Sequence, residues 1–160
     1  MMPVIRPATI ADAPQVRAVW DTMITESTAN FSEILKTEEE VLDAIRTRPL
    51  LLVAEAEGRI MGFATYGQFR ANSGYRFTME NTIALLPEAK GRGMGRGLMT
   101  GIEDHARAGG AHSMIAGISG KNTDGLAFHA AIGYETVAVV PRSGFKWGEW
   151  LDLVLMQKFL

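Results

Sequence analysis

The chain has 160 residues, 47% of them hydrophobic and 21% charged, with a formal net charge of −2 and no cysteine. This is the length of a single domain, 1–160, able to bury about 70% of its unfolded surface. The acidic balance speaks against general nucleic-acid or anionic-membrane binding, and the lack of Cys excludes disulfides, thiolate catalysis and Cys-ligated metals. No run approaches the roughly 20 apolar residues of a membrane helix, and no charged segment followed by an apolar stretch opens the chain. The expectation is a cytoplasmic protein without a secretory signal.

Pro3–Arg6 reads as a short strand. Thr9 or Asp12 can cap a helix whose apolar residues Val16, Val19, Trp20, Met23 and Ile24 recur at three- and four-residue spacing. Thr37 and Glu40 have the capping-box pattern for a second helix through Val41, Leu42 and Ile45. Leu50–Ala56 and Ile60–Phe69, joined at Glu57-Gly58, form a hairpin. A polar turn at Ala71–Gly74 leads to a long strand, Tyr75–Leu86. A glycine-rich loop and a helix to about Arg107 follow, then a buried strand Ser113–Ile118 and a helix Thr123–Ala131 stopped by Gly133. Glu135–Val140 and Trp150–Phe159 close the chain as strands. This order implies an α/β fold: a mixed central sheet, antiparallel in its first half, with one parallel crossover, flanked by helices.

The most informative segment is Leu86–Leu98, where glycines at 91, 93, 95 and 97 alternate around Arg92 and Arg96, after Lys90. Glycine lets backbone N–H groups approach a ligand closely, and the start of a helix adds unpaired donors and partial positive charge. Strand, basic glycine turn and helix together make an anion site for a phosphate or pyrophosphate. The P-loop pattern fails because Gly95 is followed by Arg96-Gly97, with no Ser or Thr for a metal. The dinucleotide pattern fails because Arg96, Leu98 and Thr100 occupy its third glycine position in each frame. Gly117-Ile-Ser119-Gly120-Lys121 lacks the last glycine of a nucleophile elbow, and His105, His112 and His129 have no metal-ligand spacing.

Lys90-Gly-Arg-Gly93-Met-Gly95 resembles the Arg/Gln-x-x-Gly-x-Gly/Ala signature of the GNAT superfamily of acyl-CoA-dependent N-acetyltransferases, with Lys in the first position. A second frame, Arg92-x-x-Gly95-x-Gly97, also matches. Asn122-x-x-Gly125 to Phe128-His129-x-x-Ile132-Gly133-Tyr134 is similar to that superfamily's second cofactor segment. Ser27–Glu33, Gly74–Asn81 and Gly144–Leu153 resemble the phosphinothricin and methionine sulfone acetyltransferase branch.

The resemblance implies a GNAT fold binding acetyl-CoA and no metal. Gly91, Arg92, Gly93, Met94, Gly95 and Arg96 would hold its pyrophosphate, and Ile83, Ala84 and Leu85 would pair with its pantetheine arm. Asn122 would contact the cofactor, or serve only as a helix N-cap. Glu80 would be the general base for an amine acceptor, or a structural carboxylate paired with Arg76. His129 stands where many relatives carry a tyrosine that protonates the leaving thiolate; a core histidine is the alternative. Phe31, Tyr75, Arg76 and Thr78 would line the acceptor site, with Arg76 and Thr78 on Glu80's strand face by the period of two. Phe77, Trp147 and Trp150 are further aromatic candidates for a pocket wall, the core or a dimer interface. The implied reaction is direct acetyl transfer to the α-amine of phosphinothricin, methionine sulfoximine or methionine sulfone, in a homodimer. Acetylation of a protein N-terminus or lysine, and a non-catalytic acyl-CoA sensor, are the other readings.

Overall fold

The computed structural model describes residues 2–160. Strand β1 (Val4–Pro7) leads into helix α1 (Ala13–Glu26), which buries Val16, Val19, Trp20 and Ile24 along one face. Asp12 fixes the entry: its carboxylate accepts from the Thr9 N–H at 2.7 Å and pairs with Arg6 at 2.8 Å. Helix α2 (Glu38–Thr47) starts in the expected capping box, with Thr37 and Glu40 each bonding the other's backbone N–H. Strands β2 (Leu50–Ala56), β3 (Arg59–Gln68) and β4 (Thr78–Leu85) form an antiparallel meander. Helix α3 (Met94–Ala108), β5 (Ser113–Ser119), α4 (Thr123–Ala131), β6 (Glu135–Lys146) and β7 (Glu149–Phe159) complete the chain.

One seven-stranded sheet results, in the order β1-β2-β3-β4-β5-β7-β6. Trp20 of α1 packs on Phe63, whose cross-strand partner is Val53, whereas Gly101 of α3 lies against Leu52. Adjacent residues of a strand point to opposite faces, so α1 and α3 cover opposite faces of the sheet. Among the described residues the sole parallel pairing joins β4 to β5 and spans only Thr78–Glu80 with Ser113–Ile115. Beyond it β4 stays on β3 and β5 stays on β7, leaving a wedge between Asn81–Leu85 and Ala116–Ser119.

Two elements differ from the sequence expectation. The third meander strand begins at Thr78 rather than Tyr75, because Ser73–Tyr75 is a turn of 3-10 helix. Asn72 drives it: its side-chain oxygen accepts from the Gly74 N–H at 2.8 Å, an Asx turn that carries the chain past the glycine. Arg76 therefore lies in helical backbone before the strand, and the period of two does not place it beside Glu80. Strand β6 runs on past Val140, the expected end, to Lys146, with Pro141 inside it. It is the outermost strand and slips register between Val140 and Gly144, a position where Pro is tolerated. Trp147 and Gly148, both at positive φ, turn it into β7.

Among the described residues no helix is long and apolar enough to cross a membrane. Behind the wedge, Glu103 of α3 is 5% exposed and accepts from the Tyr134 hydroxyl at 2.8 Å and the Lys158 ammonium at 2.7 Å. Removing one partner of such a pair strands a buried charge. Lys158→Met is expected to cost about 2–4 kcal/mol in urea unfolding, scaled to its partial exposure; a loss below about 1 kcal/mol would make the pair a surface one.

Candidate active site

The wedge opens into a cavity of about 920 Å³ that runs from the glycine loop past Glu80 to the segment after α1. At one end, Gly91 and Gly93 adopt φ of 75° and 80°, and Gly93 caps α3 in left-handed backbone. That conformation favours glycine and turns the chain so that the first amides of α3, from Met94 to Arg96, have no acceptor within the helix. Gly91, Gly93, Met94, Gly95 and Arg96 line the cavity, together with Lys90, whose ammonium is 3.8 Å from Asp124. Arg92 does not: it turns back toward Glu57, 3.8 Å away.

Along the middle, Ile83, Ala84 and Leu85 border the cavity on the edge of β4 that lacks a strand partner. An unpaired strand edge offers backbone donors and acceptors to an extended amide-bearing chain. Asn122 lies across from it as the N-cap of α4. Its side-chain oxygen accepts from the Gly125 N–H at 2.9 Å, so the cap is real and the amide nitrogen is free for a ligand.

Glu80 is the last β4 residue before the wedge, paired with Gly67 on β3 and Ile115 on β5. Its Oε2 sits 3.1 Å from where a Cβ on Gly117 would be, so the carboxylate reaches over β5. Burial raises its pKa, and Arg48 and Arg70 partly oppose the rise. The Arg48 guanidinium lies over Gly67, on Glu80's face of the sheet. Among the described residues neither guanidinium has an ion-pair partner (Arg70 lies 5.2 Å from the Phe69 ring). Arg76 is not the partner of Glu80: its guanidinium donates to the Ser73 carbonyl at 2.9 Å and lies over Phe77. Neither Arg76, Thr78 nor Tyr75 lines the cavity; Tyr75 meets Phe69 edge-on. Phe31 does line it, with Ser27, Ala29 and Asn30 beside it.

His129 reaches the cavity from α4 and is 4% exposed. Its Nδ1 is 2.9 Å from the Gly125 carbonyl, which can only accept, so Nδ1 carries the proton. Burial lowers its pKa, which keeps the ring neutral. Nε2 is then a bare acceptor, buried and without a partner. The resemblance implies a proton donor here; the geometry gives the opposite sense. Asn81, next to Glu80 but on the other face, brings a second unpartnered buried atom, Nδ2, to the same cavity.

Asn81, Arg48 and Arg70 escape a motif search. Arg48 and Arg70 belong to no local pattern, and only the pairing of Gly67 with Glu80 brings Arg48 near. Among the described residues no group of His, Asp and Glu could hold a metal ion. The free helix amides, the unpaired strand edge and the Asn122 amide fit a ligand with an anionic end and an extended amide arm.

Residues 17–134 match the family model of the GNAT acetyltransferase family. The chain is 34% identical over 159 residues to the L-methionine sulfoximine/L-methionine sulfone acetyltransferase of Pseudomonas paraeruginosa, covering 96% of this chain and 92% of that protein. A GNAT superfamily phosphinothricin acetyltransferase from Sinorhizobium meliloti, solved with acetyl-CoA, superposes with a TM-score of 0.94 at 32% identity, covering 100% of this chain and 89% of that one. The ribosomal-protein-alanine N-acetyltransferase of Brucella melitensis superposes equally, with a TM-score of 0.94, 35% identity and coverage of 98% and 99%. The wedge, the glycine-capped helix and these likenesses agree: the chain belongs to the GNAT acetyltransferase family, as an acetyl-CoA-dependent N-acetyltransferase.

Proposed function

We propose that the enzyme acetylates the α-amine of a small amino-acid-like acceptor of the methionine sulfone, methionine sulfoximine or phosphinothricin type, acting in the cytoplasm. The observation that carries this reading is the position of Glu80, a partly buried carboxylate lining the cavity at the branch of the wedge, with the charges of Arg48 and Arg70 acting on it from outside the lining. Acetyl-CoA supplies a thioester, whose acetyl carbon exchanges its C–S bond for a C–N bond with the acceptor. The free amides of Met94, Gly95 and Arg96, with Lys90 beside them, hold its pyrophosphate, and the Ile83–Leu85 edge aligns its arm. An amino acid arrives as an ammonium ion. The Glu80 carboxylate takes one of those protons, so that the nitrogen attacks directly and no acyl-enzyme forms. His129 Nε2 accepts an N–H from the arm of acetyl-CoA, and the leaving CoA thiolate takes up the second proton that the acceptor nitrogen loses as the C–N bond forms. Arg48 and Arg70, whose charges reach Glu80, hold the acceptor's carboxylate.

A second reading, acetylation of a protein N-terminus, draws support from the ribosomal-protein-alanine relative. Free-CoA release with amino acids, polyamines and N-terminal peptides separates the two, since the small-acceptor reading requires turnover with free amino acids.

Glu80→Gln should lower kcat by a factor on the order of 10²–10⁴ and abolish the acid limb of the pH–rate profile. Stability should move the other way. A carboxylate whose folded pKa is raised stabilises the fold only while protonated, and that contribution is lost as pH rises through the folded pKa. The Gln variant is therefore expected to unfold no more easily than wild type at neutral pH. Unchanged kcat across pH, or a clear loss of stability, would return Glu80 to the structural reading.

Arg48→Gln and Arg70→Gln should each raise KM for the acceptor about tenfold or more, with a smaller change in kcat. The methyl ester of the same acceptor should feel neither substitution; equal sensitivity would remove the arginines from carboxylate binding.

A homodimer completes the proposal. Val137, Val139, Phe145, Trp147 and Trp150 are each at least half exposed on β6, β7 and the turn between them, an apolar surface of the kind that marks an interface. Light scattering should give twice the chain mass for wild type and a monomer for Trp150→Glu; a monomeric wild type would end this part of the reading.

A further inference from the structure

The face of the β6–β7 hairpin turned inward carries a feature that the transfer chemistry does not use. Lys146 is fully buried, at 0% exposure, and has no carboxylate within ion-pair distance among the described residues. A lone buried ammonium costs several kcal/mol unless its donors are satisfied. Here all three are. Nζ donates to the carbonyls of Ile24 at 2.7 Å, Ser27 at 2.8 Å and Asn30 at 2.8 Å. Ile24 and Ser27 lie at the C-terminus of α1, where unpaired carbonyls and the helix dipole favour a cation. Asn30 lies three residues into the irregular segment that follows. One ammonium thus ties the helix end to the segment, through bonds to backbone alone.

The same hairpin grips that segment twice more. The Phe31 ring packs on Gly144, its nearest atoms 2.5–2.7 Å from where a Cβ would be, so no larger residue fits at 144 without moving it. The Trp147 N–H donates to Glu33 Oε1 at 3.0 Å. Between helix α1 and helix α2 the segment forms no strand or helix of its own, and Ser27, Ala29, Asn30 and Phe31 line the cavity opposite the glycine loop.

We propose that Lys146 is a positioning residue for the acceptor: its ammonium latches Ser27–Glu33 in one shape and thereby sets the acceptor wall of the active site. The inference rests on the reading that this end of the cavity takes the acceptor. The latch acts on backbone carbonyls, so the side chains it positions, Phe31 above all, can vary while the wall stays in place.

Lys146→Met keeps an unbranched side chain one atom shorter and removes the donors. It is expected to raise KM for the acceptor about tenfold or more, because the acceptor must then order its wall as it binds. With saturating acceptor, kcat and KM for acetyl-CoA should stay within about twofold of wild type, since the donor end is untouched. Hydrogen exchange on the variant without substrates should show amides 28–33 exchanging about tenfold faster while β4 is unchanged. Lys146→Gln, which keeps two donors, should fall between the two and serves if the Met variant does not fold. Equal KM and exchange in a folded variant would overturn the proposal. So would failure of both variants to fold, because Lys146 would then hold the whole structure rather than one wall. If wild type acetylates no free amino acid, the proposed function fails instead, and the exchange measurement still reads the latch.

Discussion

The site depends on a pairing that stops. Strands β4 and β5 run parallel for three residues and then part, β4 held by its antiparallel ladder to β3 and β5 by its ladder to β7. Had the pairing continued, the backbone groups of Asn81–Leu85 would be spent within the sheet and there would be no cavity. Because it stops at Glu80, the strand has three uses within a few residues. It is fully paired where it must be rigid, it carries a carboxylate at the branch, and it has a free edge beyond. The alternation of side chains then sorts chemistry by face. Glu80 looks toward the α1–α2 side and Asn81 toward the α3 side, so the two faces of the branch carry different side chains into one cavity.

The two titratable groups at the branch are pushed by burial in opposite directions on the pH scale, and each toward its uncharged form. Desolvation disfavours whichever form is charged, raising Glu80 and lowering His129. A carboxylate with a raised pKa is a better base than an exposed one. An imidazole held neutral, with its proton committed to the Gly125 carbonyl, presents a lone pair. Both groups therefore accept hydrogen bonds, but only Glu80 gains strength as a base; His129, with its pKa lowered, offers a lone pair without taking up a proton, and in the proposed reading Glu80 alone takes the proton of the ammonium. That is the demand of amine acetylation, where the nucleophile is bound in the wrong protonation state.

The glycine loop at one end of the cavity was legible in the sequence because it is local and made of backbone. Lys90 to Arg96 are neighbours in the chain, and the glycines are themselves the signal, since left-handed backbone at Gly91 and Gly93 favours this residue. The sheet meander and both capping boundaries of the first helices were legible for the same reason. The acceptor half is not local. Arg48 follows α2, Arg70 follows β3 and Lys146 ends β6, and no spacing rule links them before the sheet is assembled. Arg76 was misplaced by one misjudged boundary: a single Asx turn at Asn72 delays the strand, and the alternation argument that put Arg76 beside Glu80 falls with it. Arg92 shows a finer limit, since its backbone belongs to the loop that forms the site while its side chain is drawn off by Glu57.

The same division governs how the two halves can change. In the proposed reading the donor end binds through amides, so most side-chain substitutions there leave the bonding groups in place provided the glycines remain. The acceptor end, in the same reading, binds through side chains carried by separate segments, and its wall has no regular structure of its own. Such a wall can be reshaped by few substitutions, but it must first be held, or the acceptor would bear the entropy of ordering it at every turnover. A buried ammonium on three carbonyls meets that need without prescribing any side chain of the loop. It also ties the wall to β6, whose opposite face carries the exposed Phe145 and, at the turn, Trp147. Any partner seated on those aromatics would press on the strand that holds Phe31, so covering the outer surface and shaping the acceptor site are mechanically one problem.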